Sequence, residues 1–241
     1  EFFDYNLQQT SLSYRISMRK KSPLHAYDFS NKTYPFSAVA LLHEKLIPYS
    51  TPFSLPRDHT YNLSPNKNDS ALVLMTEGIY SFCHQESDLY IATGFSPGLI
   101  GLIDCYSLYY NVEQRPQHYI VAETECAGHL VPIDTFLACA DEFELWHDIS
   151  RILAHRLMVM SAREGEIVGV NSYTTVRALL SELWIYPENY RNQINVEKFI
   201  QRRSGLSRAQ IMRVLSDLKK GGYLKIAMGK LIELGKLPHS Y

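Results

Sequence analysis

Residues 194–224 read INVEKFIQRRSGLSRAQIMRVLSDLKKGGYL, and this stretch predicts two short helices joined by a tight turn. Asn195 is the expected N-cap of the first helix, at 196–203. Gly205 supplies the turn, and Ser207 accepts hydrogen bonds from the free N–H groups at the start of the second helix. The stretch therefore predicts a helix-turn-helix. Apolar residues at spacings i, i+3, i+4 and i+7 line one side of its second helix: Ile211, Val214, Leu215 and Leu218.

The opposite side of the second helix carries Arg208, Gln210 and Arg213, which are able to hydrogen-bond a base edge or a phosphate. Residues 187–241 contain 11 Lys and Arg against 4 Asp and Glu, whereas residues 1–186 contain 13 against 21. A basic module on an acidic body suits the neutralisation of DNA phosphates. We therefore predict double-stranded DNA as the ligand, with an ordinary helical hairpin as the alternative.

The run KIAMGKLIEL, at 225–234, predicts a two-stranded wing that turns around Met228-Gly229-Lys230. We expect its tip to offer a lysine to a phosphate; a capping hairpin without DNA contact is the alternative. The predicted phosphate contacts of the whole module are Ser207, Arg202, Arg203, Lys219, Lys220 and Lys230.

The chain before this module has a different pattern of predicted secondary structure. Residues 1–35 read as a polar extension, and residues 36–47 predict a helix. From residue 52 to 133, short β-rich runs alternate with turn residues, as in a small barrel or a double-sheet roll. The fold class is therefore α+β, with an N-terminal β-roll domain at 36–140. Its expected strands are 71–76, 79–84, 88–95, 119–125 and 128–133.

Residues 141–166 predict one long amphipathic helix. Its main stripe, running from Phe143 through Trp146 to Met160, is expected to pack along the roll. A second apolar face predicts pairing with another copy of the chain, so we expect a homodimer. A hinge at Gly165 and Gly169 then leads to a helix at 172–185 and to the winged helix-turn-helix domain, 170–241. The predicted dimerisation residues are Leu145, Ile149, Ile152 and Val159.

The composition argues against a membrane-spanning protein and against a cysteine-bound metal site. Hydrophobic residues make up 46% and charged residues 20%, and no apolar run is long enough to span a membrane. Four cysteines, Cys83, Cys105, Cys126 and Cys139, form no CxxC pair, so no local zinc or iron–sulfur motif exists. Buried thiols in a reducing cytoplasm are the expectation, with a redox-sensing thiol as the alternative. We predict no cofactor and no metal.

The order of β-roll, long helix, hinge and winged helix-turn-helix resembles the cyclic-AMP receptor/fumarate-nitrate regulator (Crp/Fnr) superfamily of bacterial transcription factors. The segment SGLSRAQIMRVLSDLKKGGYL is similar to the recognition segment of that family. The resemblance implies that Arg208 reads guanine and that Arg213 is its partner at the next turn. Ala209 stands where many members have a glutamate that reads cytosine, which implies altered specificity at one base pair.

The sensor half departs from the cyclic-nucleotide binders of this superfamily. Gly101 is followed by Leu102 in place of a ribose-binding glutamate, and Pro116 replaces the phosphate-binding arginine, with Arg115 one residue away. A cyclic phosphate would lack its charge-assisted partner, so we do not expect cyclic AMP to bind. The degenerate roll and C-terminal segment are similar to the enterobacterial group called inhibitor of hydrogen peroxide resistance. That likeness implies control of stress-related genes.

The sequence therefore predicts a homodimeric regulator that binds a near-palindromic DNA site and also contacts RNA polymerase. A protein-interaction adapter, which would use the wing and the roll as docking surfaces, is the alternative from another class. An enzyme is not expected, because Ser, His and Asp are scattered and no nucleophile elbow, HExxH, P-loop or G-x-G-x-x-G is present.

Overall fold

The computed structural model describes residues 26–63, 66, 69–112, 116–167 and 170–238. Three predicted features lie outside this part of the chain: residues 1–25 of the extension, Arg115 near the expected phosphate site, and Gly169 of the hinge. The first half contains α1 (Ala26–Thr33), α2 (Phe36–Leu46), a 3-10 turn (Ile47–Tyr49), β1 (Thr51–Leu55), β2 (Thr60–Asn62), β3 (Ala71–Glu77), β4 (Ile79–His84), β5 (Tyr90–Phe95), β6 (Gly98–Ile100) and α3 (Leu102–Tyr109). The second half contains β7 (His118–Ala122), β8 (Cys126–Pro132), α4 (Ile133–Glu142), α5 (Trp146–Ile167), α6 (Ser172–Ile185), α7 (Glu188–Arg191), α8 (Val196–Ser204), α9 (Arg208–Lys220), β9 (Leu224–Ala227) and β10 (Lys230–Leu234).

Eight strands of the described residues form two antiparallel sheets, in the orders β1-β8-β3-β6 and β2-β7-β4-β5. Side chains from both sheets fill the space between them, such as Val73 and Met75 of β3 and Ile120 of β7. The alternate residues Leu72 and Leu74 of β3 join a second core under the helices. This alternation is expected of a strand that is buried on both faces. The predicted β-roll is confirmed.

Helices α2, α4 and α5 cover the outer side of the first sheet. His43 of α2 is buried, and its Nε2 lies 3.0 Å from the carbonyl oxygen of Gly98. The end of the predicted extension forms α1, where the carbonyl oxygen of Ser30 lies 3.1 Å from Nε2 of His155 in α5. The last residues of that extension therefore pack on the long helix.

The predicted single helix over 141–166 is wrong at its start, whereas its end differs by one residue. Helix α4 ends at Glu142, and α5 begins at Trp146 after a turn in which Glu144 has a φ of 53°. The backbone N–H of Leu145 donates to the carbonyl of Ala140 at 2.9 Å, which closes this turn. Gly165 does not end α5, which continues to Ile167, because one glycine costs a helix only about 1 kcal/mol.

The face of the long helix that we predicted to dimerise is largely buried within the chain. Leu145, Ile149 and Ile152, predicted to dimerise, are buried in the chain's own core, and Val159 is half-buried. Leu145, Ile149 and Ile152 are therefore unavailable to a second copy while this packing holds. Apolar residues that we assigned to the packed stripe are exposed instead. This exposed seam comprises Trp146, Leu153, Leu157 and Met160.

Helices α6 to α9 and the β9–β10 hairpin form a separate core at the C-terminal end. Helix α6 has the predicted bounds, and Asn171 caps it by accepting from the N–H of Thr174 at 2.9 Å. The buried side chains of α6, α8 and α9 meet at one centre. The predicted winged helix-turn-helix is confirmed.

Candidate nucleic-acid interface

The helix-turn-helix is shaped by the residues that the sequence marks as caps and turn. The side chain of Asn195 accepts from the N–H of Lys198 at 3.0 Å, and Gly205 ends α8 with a φ of 64°. Ser207 and Gln210 form a capping box at the start of α9: the N–H of Gln210 donates to Ser207 Oγ at 3.3 Å, and the N–H of Ser207 donates to Gln210 Oε1 at 3.0 Å. In this structure, both side chains organise the helix start.

Helix α9 buries one side and exposes the other. Ile211, Val214, Leu215 and Leu218 are buried as predicted. The exposed side presents two arginines with two apolar residues beside them. We call this set the recognition face: Arg208, Ala209, Met212 and Arg213.

Arg208 has a partner that the sequence did not indicate. Its Nε lies 2.6 Å from Oε1 of Glu197, in the first turn of α8, and its side chain remains 73% exposed. An ion pair of such an exposed group contributes little to stability, between about 0 and 1 kcal/mol. It does orient the guanidinium, which must leave Glu197 to reach a base.

Arg203, predicted to contact a phosphate, is only 3% exposed, so this prediction is wrong for the packing seen here. Its Nη2 donates to Thr93 Oγ1 in β5 of the roll, and its Nε lies 3.9 Å from Oε1 of Glu182 in α6. The guanidinium also sits over the ring of Phe199, 4.1 Å from its centroid. A buried cation needs such partners, because desolvation is costly without them. Arg203 therefore joins the winged module to the roll.

The other predicted phosphate contacts differ in their availability. Arg202 is exposed, yet its guanidinium lies 5.1 Å from the ring centroid of Tyr90 in the roll. Lys230 is half-buried, and its Nζ donates to the carbonyl of Gln193. Lys219 and Lys220 are exposed in the last turn of α9. The two lysines are thus open to a phosphate, whereas Arg202 and Lys230 would first leave a protein partner.

The wing lies on the same side of the module as the start of α9. The carbonyl of Gly229, at its tip, accepts from the N–H of Val196 at 2.9 Å, and the neighbouring Glu197 holds Arg208. Met228 at the tip is 96% exposed and has a φ of 49°, followed by Gly229 with a φ of 76°. The tip that the sequence predicted to present a lysine therefore presents a methionine.

Aromatic contacts also hold the module against the roll. Phe95, at the end of β5, meets the edges of Tyr186 and Tyr190, with ring centroids 5.4 and 6.3 Å apart. The Tyr186 hydroxyl donates to Oε1 of Glu182 at 2.5 Å, in the same buried cluster as Arg203. The roll therefore contacts Tyr186 and Tyr190 through Phe95, and the first helix of the helix-turn-helix through Arg203, while the recognition face stays exposed.

The two predicted departures from the cyclic-nucleotide binders differ in burial. Leu102 is buried at the start of α3, and Pro116 is exposed. Two residues further along α3, the fully buried carboxylate of Asp104 accepts from the N–H of His118 at 3.1 Å and lies 3.1 Å from the Nδ1 of that residue. This short helix thus places a buried carboxyl group, paired with His118, inside the roll.

The four cysteines are buried and form no disulfide. Burial raises the pKa of the Cys83 thiol to about 12, and it raises the pKa values of Cys126 and Cys139 as well. A thiol with so high a pKa holds almost no thiolate at neutral pH, and the thiolate is the form that reacts with oxidants.

In the part of the chain that the structure describes, no group of three or more His, Cys, Asp or Glu is arranged to hold a metal ion. Across the same residues, no helix has the length and apolarity needed to cross a bilayer.

Residues 172–239 match a protein-family model described as winged helix-turn-helix DNA binding. The chain is also 27% identical over 207 residues to the protein called inhibitor of hydrogen peroxide resistance of Escherichia coli (strain K12), with 86% of this chain and 97% of that protein covered. The protein of the same name from Salmonella typhimurium shows the same identity and coverage.

Solved structures share the fold. The c-di-GMP-responsive global regulator CLP of Xanthomonas campestris superposes with a TM-score of 0.66 at 16% identity, covering 82% of this chain and all of that one. A Crp/Fnr-family transcriptional regulator from Eubacterium rectale gives a TM-score of 0.60 at 16% identity, with 80% and 89% covered. The resemblance read from the sequence is thereby confirmed: the chain has the fold of the Crp/Fnr regulators, with a winged helix-turn-helix of the DNA-binding type at its C-terminal end.

Proposed function

We propose that this protein regulates transcription by binding a near-palindromic DNA site as a homodimer. The observation that carries the proposal is the recognition face of α9, where Arg208 and Arg213 are exposed opposite a fully buried apolar side. Arginine at a major-groove edge pairs with the O6 and N7 atoms of guanine. A capped helix that is packed on its own core holds these side chains in a defined register on the duplex.

Phosphate contacts would fix that register. Lys219 and Lys220 are exposed near the end of α9, so they can approach the DNA backbone without leaving a partner among the described residues. Arg202 and Lys230 would add phosphate contacts after leaving their protein partners, Tyr90 and Gln193. Ser207 and Gln210 lie at the start of α9, next to Arg208, where their polar side chains would also face the DNA. The charge of the module makes such binding salt-dependent, because each neutralised phosphate releases counterions.

The second copy would pack on the exposed seam of α5. Its residues Trp146, Leu153, Leu157 and Met160 follow spacings of seven, four and three, which is the repeat of a coiled-coil interface. Leu157 is 66% and Met160 58% exposed, so the chain leaves a row of large apolar groups in water. Two-fold pairing of this row buries it, and it would place two recognition helices in successive major grooves, about 34 Å apart.

Leu157→Glu is expected to convert the dimer into a monomer. Two carboxylates placed in a symmetric apolar seam cost about 3 kcal/mol, so the dimer dissociation constant should rise on the order of 100-fold. Sedimentation velocity over a concentration series measures this shift. Met158→Glu is the matched control, because Met158 is exposed on another side of α5 and should leave the dimer intact. If both variants and the wild type associate equally, the proposal that the chain dimerises through the exposed seam is contradicted.

We also propose that the regulated genes belong to the response to peroxide stress. The support is the likeness to proteins called inhibitor of hydrogen peroxide resistance. Direct oxidation of Cys83 is a poor sensor in this packing, because burial holds its pKa near 12. Cyclic AMP is likewise not the proposed signal, since Leu102 supplies no carboxylate to a ribose and Pro116 supplies no guanidinium to a phosphate.

Selection of genomic DNA fragments by the purified protein, at low and high salt, tests the proposed function. We expect enrichment of inverted repeats whose half-sites are separated by one helical turn, about 10 base pairs. Such sites should remain enriched at the higher salt, where non-specific binding falls steeply. Equal recovery of all fragments at low salt, with none retained at high salt, would contradict sequence-specific regulation. An absence of binding at low salt would favour the protein-interaction adapter.

A further inference from the structure

The recognition face contains two apolar side chains that the fold does not use. Met212 is 45% exposed, and Ala209, one turn earlier on α9, is exposed as well. Their neighbour Ile211 points into the core of the module and is fully buried. Since residues three apart lie one above the other on a helix, Ala209 and Met212 form a short apolar strip.

Arginines stand on either side of this strip. Arg208 precedes Ala209, and Arg213 follows Met212, so apolar and cationic groups would meet neighbouring base pairs in one groove. Within the major groove, the arginines match the acceptors of guanine, whereas a side chain without a donor or acceptor matches only the C5 methyl group of thymine. Apolar contact with that methyl is an established mode of base recognition.

We propose that Ala209 and Met212 recognise thymine methyl groups, and that this strip sets the part of the DNA sequence that the arginines do not. This assignment rests on the proposed function and adds a base preference to it. Each half-site would then combine guanine, read by Arg208 and Arg213, with one or two thymines beside it. The thioether of Met212 is long and unbranched, so it can follow a methyl group across the groove.

The test replaces single thymines of the selected site by deoxyuridine, which removes one methyl group and leaves every hydrogen-bonding group in place. A methylene-sized apolar contact is worth about 0.8 kcal/mol, so each critical substitution should weaken binding about fourfold per half-site. Symmetric substitution in both half-sites should weaken it about 15-fold. Titration of labelled duplexes by fluorescence anisotropy measures these changes.

Protein variants connect the effect to the strip. Met212→Gln keeps the length of the side chain and removes its apolar end, so the thymine and deoxyuridine duplexes should bind this variant equally at one position. Met212→Ala should also reduce the preference for thymine over deoxyuridine, and it allows the same comparison if Met212→Gln folds poorly. Met158→Ala, at an exposed methionine of α5, is the matched control and should keep the full preference for thymine.

The possible outcomes distinguish a failure of the thymine assignment from a failure of the proposed function. A specific inverted repeat that binds equally with thymine or deoxyuridine at every position would overturn the thymine assignment and leave the regulator intact. An undiminished thymine preference in both Met212→Gln and Met212→Ala would also overturn the role of Met212. Failure to select any specific site would overturn the proposed function and the assignment together.

Discussion

Arg208→Ala is expected to abolish most of the sequence-specific affinity. A bidentate arginine–guanine pair is worth about 1–3 kcal/mol, and a two-fold symmetric site would contain two, so the loss should be about 2–6 kcal/mol, or at least roughly 30-fold. The fold should tolerate the change, because the side chain is 73% exposed and its only ion pair in the described residues is with Glu197. Competition between the selected site and a scrambled duplex, measured at one salt concentration, gives the specific part of the loss.

Arg57→Ala is the matched control for the removal of one positive charge. Arg57 is an exposed arginine of the roll whose Nε lies 3.8 Å from Asp58, so it resembles Arg208 in exposure and pairing. It lies in the other domain, and its removal should change affinity by less than about twofold. A similar loss in both variants would show that net charge alone controls binding, and a retained site preference in Arg208→Ala would remove this residue from base recognition.

Arg203→Ala is expected to lower the free energy of unfolding of the winged module by about 3–5 kcal/mol. The variant leaves the carboxylate of Glu182 buried without its cation, and it removes the donor to Thr93 and the contact with the ring of Phe199. Urea denaturation followed by the fluorescence of Trp184, half-buried in α6, measures this loss.

The neighbouring residue supplies the control for Arg203. Arg202 is exposed and meets the roll only at the surface, over Tyr90, so Arg202→Ala should cost at most about 1 kcal/mol. A loss of less than about 1 kcal/mol in Arg203→Ala would contradict a buried structural role for this arginine.

The local features of the DNA-binding module could be predicted from the sequence. Asn195, Gly205 and Ser207 act as cap, turn and cap because each satisfies backbone groups within three or four residues of itself. The apolar stripe of α9 and the alternation of β3 are read from spacing, since a helix and a strand have fixed periods. Helix α6 and strand β4 have the predicted bounds for the same reason.

Long-range packing decided the features that were predicted wrongly. Arg203 looks like any basic residue near a turn, and its burial depends on Thr93 and Glu182, which are distant in the chain. No local pattern contains that contact.

Helix α5 gives the clearest division between what sequence and tertiary structure determine. Its sequence determines that two apolar faces exist, one through Ile149 and Ile152 and one through Leu153 and Leu157. Both faces satisfy the same hydrophobic periodicity, so spacing cannot say which one the chain covers by itself. Only the placement of α2 and α4 against α5 decides that the first face is buried and that the second remains in water, because burial depends on which surfaces are brought within contact distance.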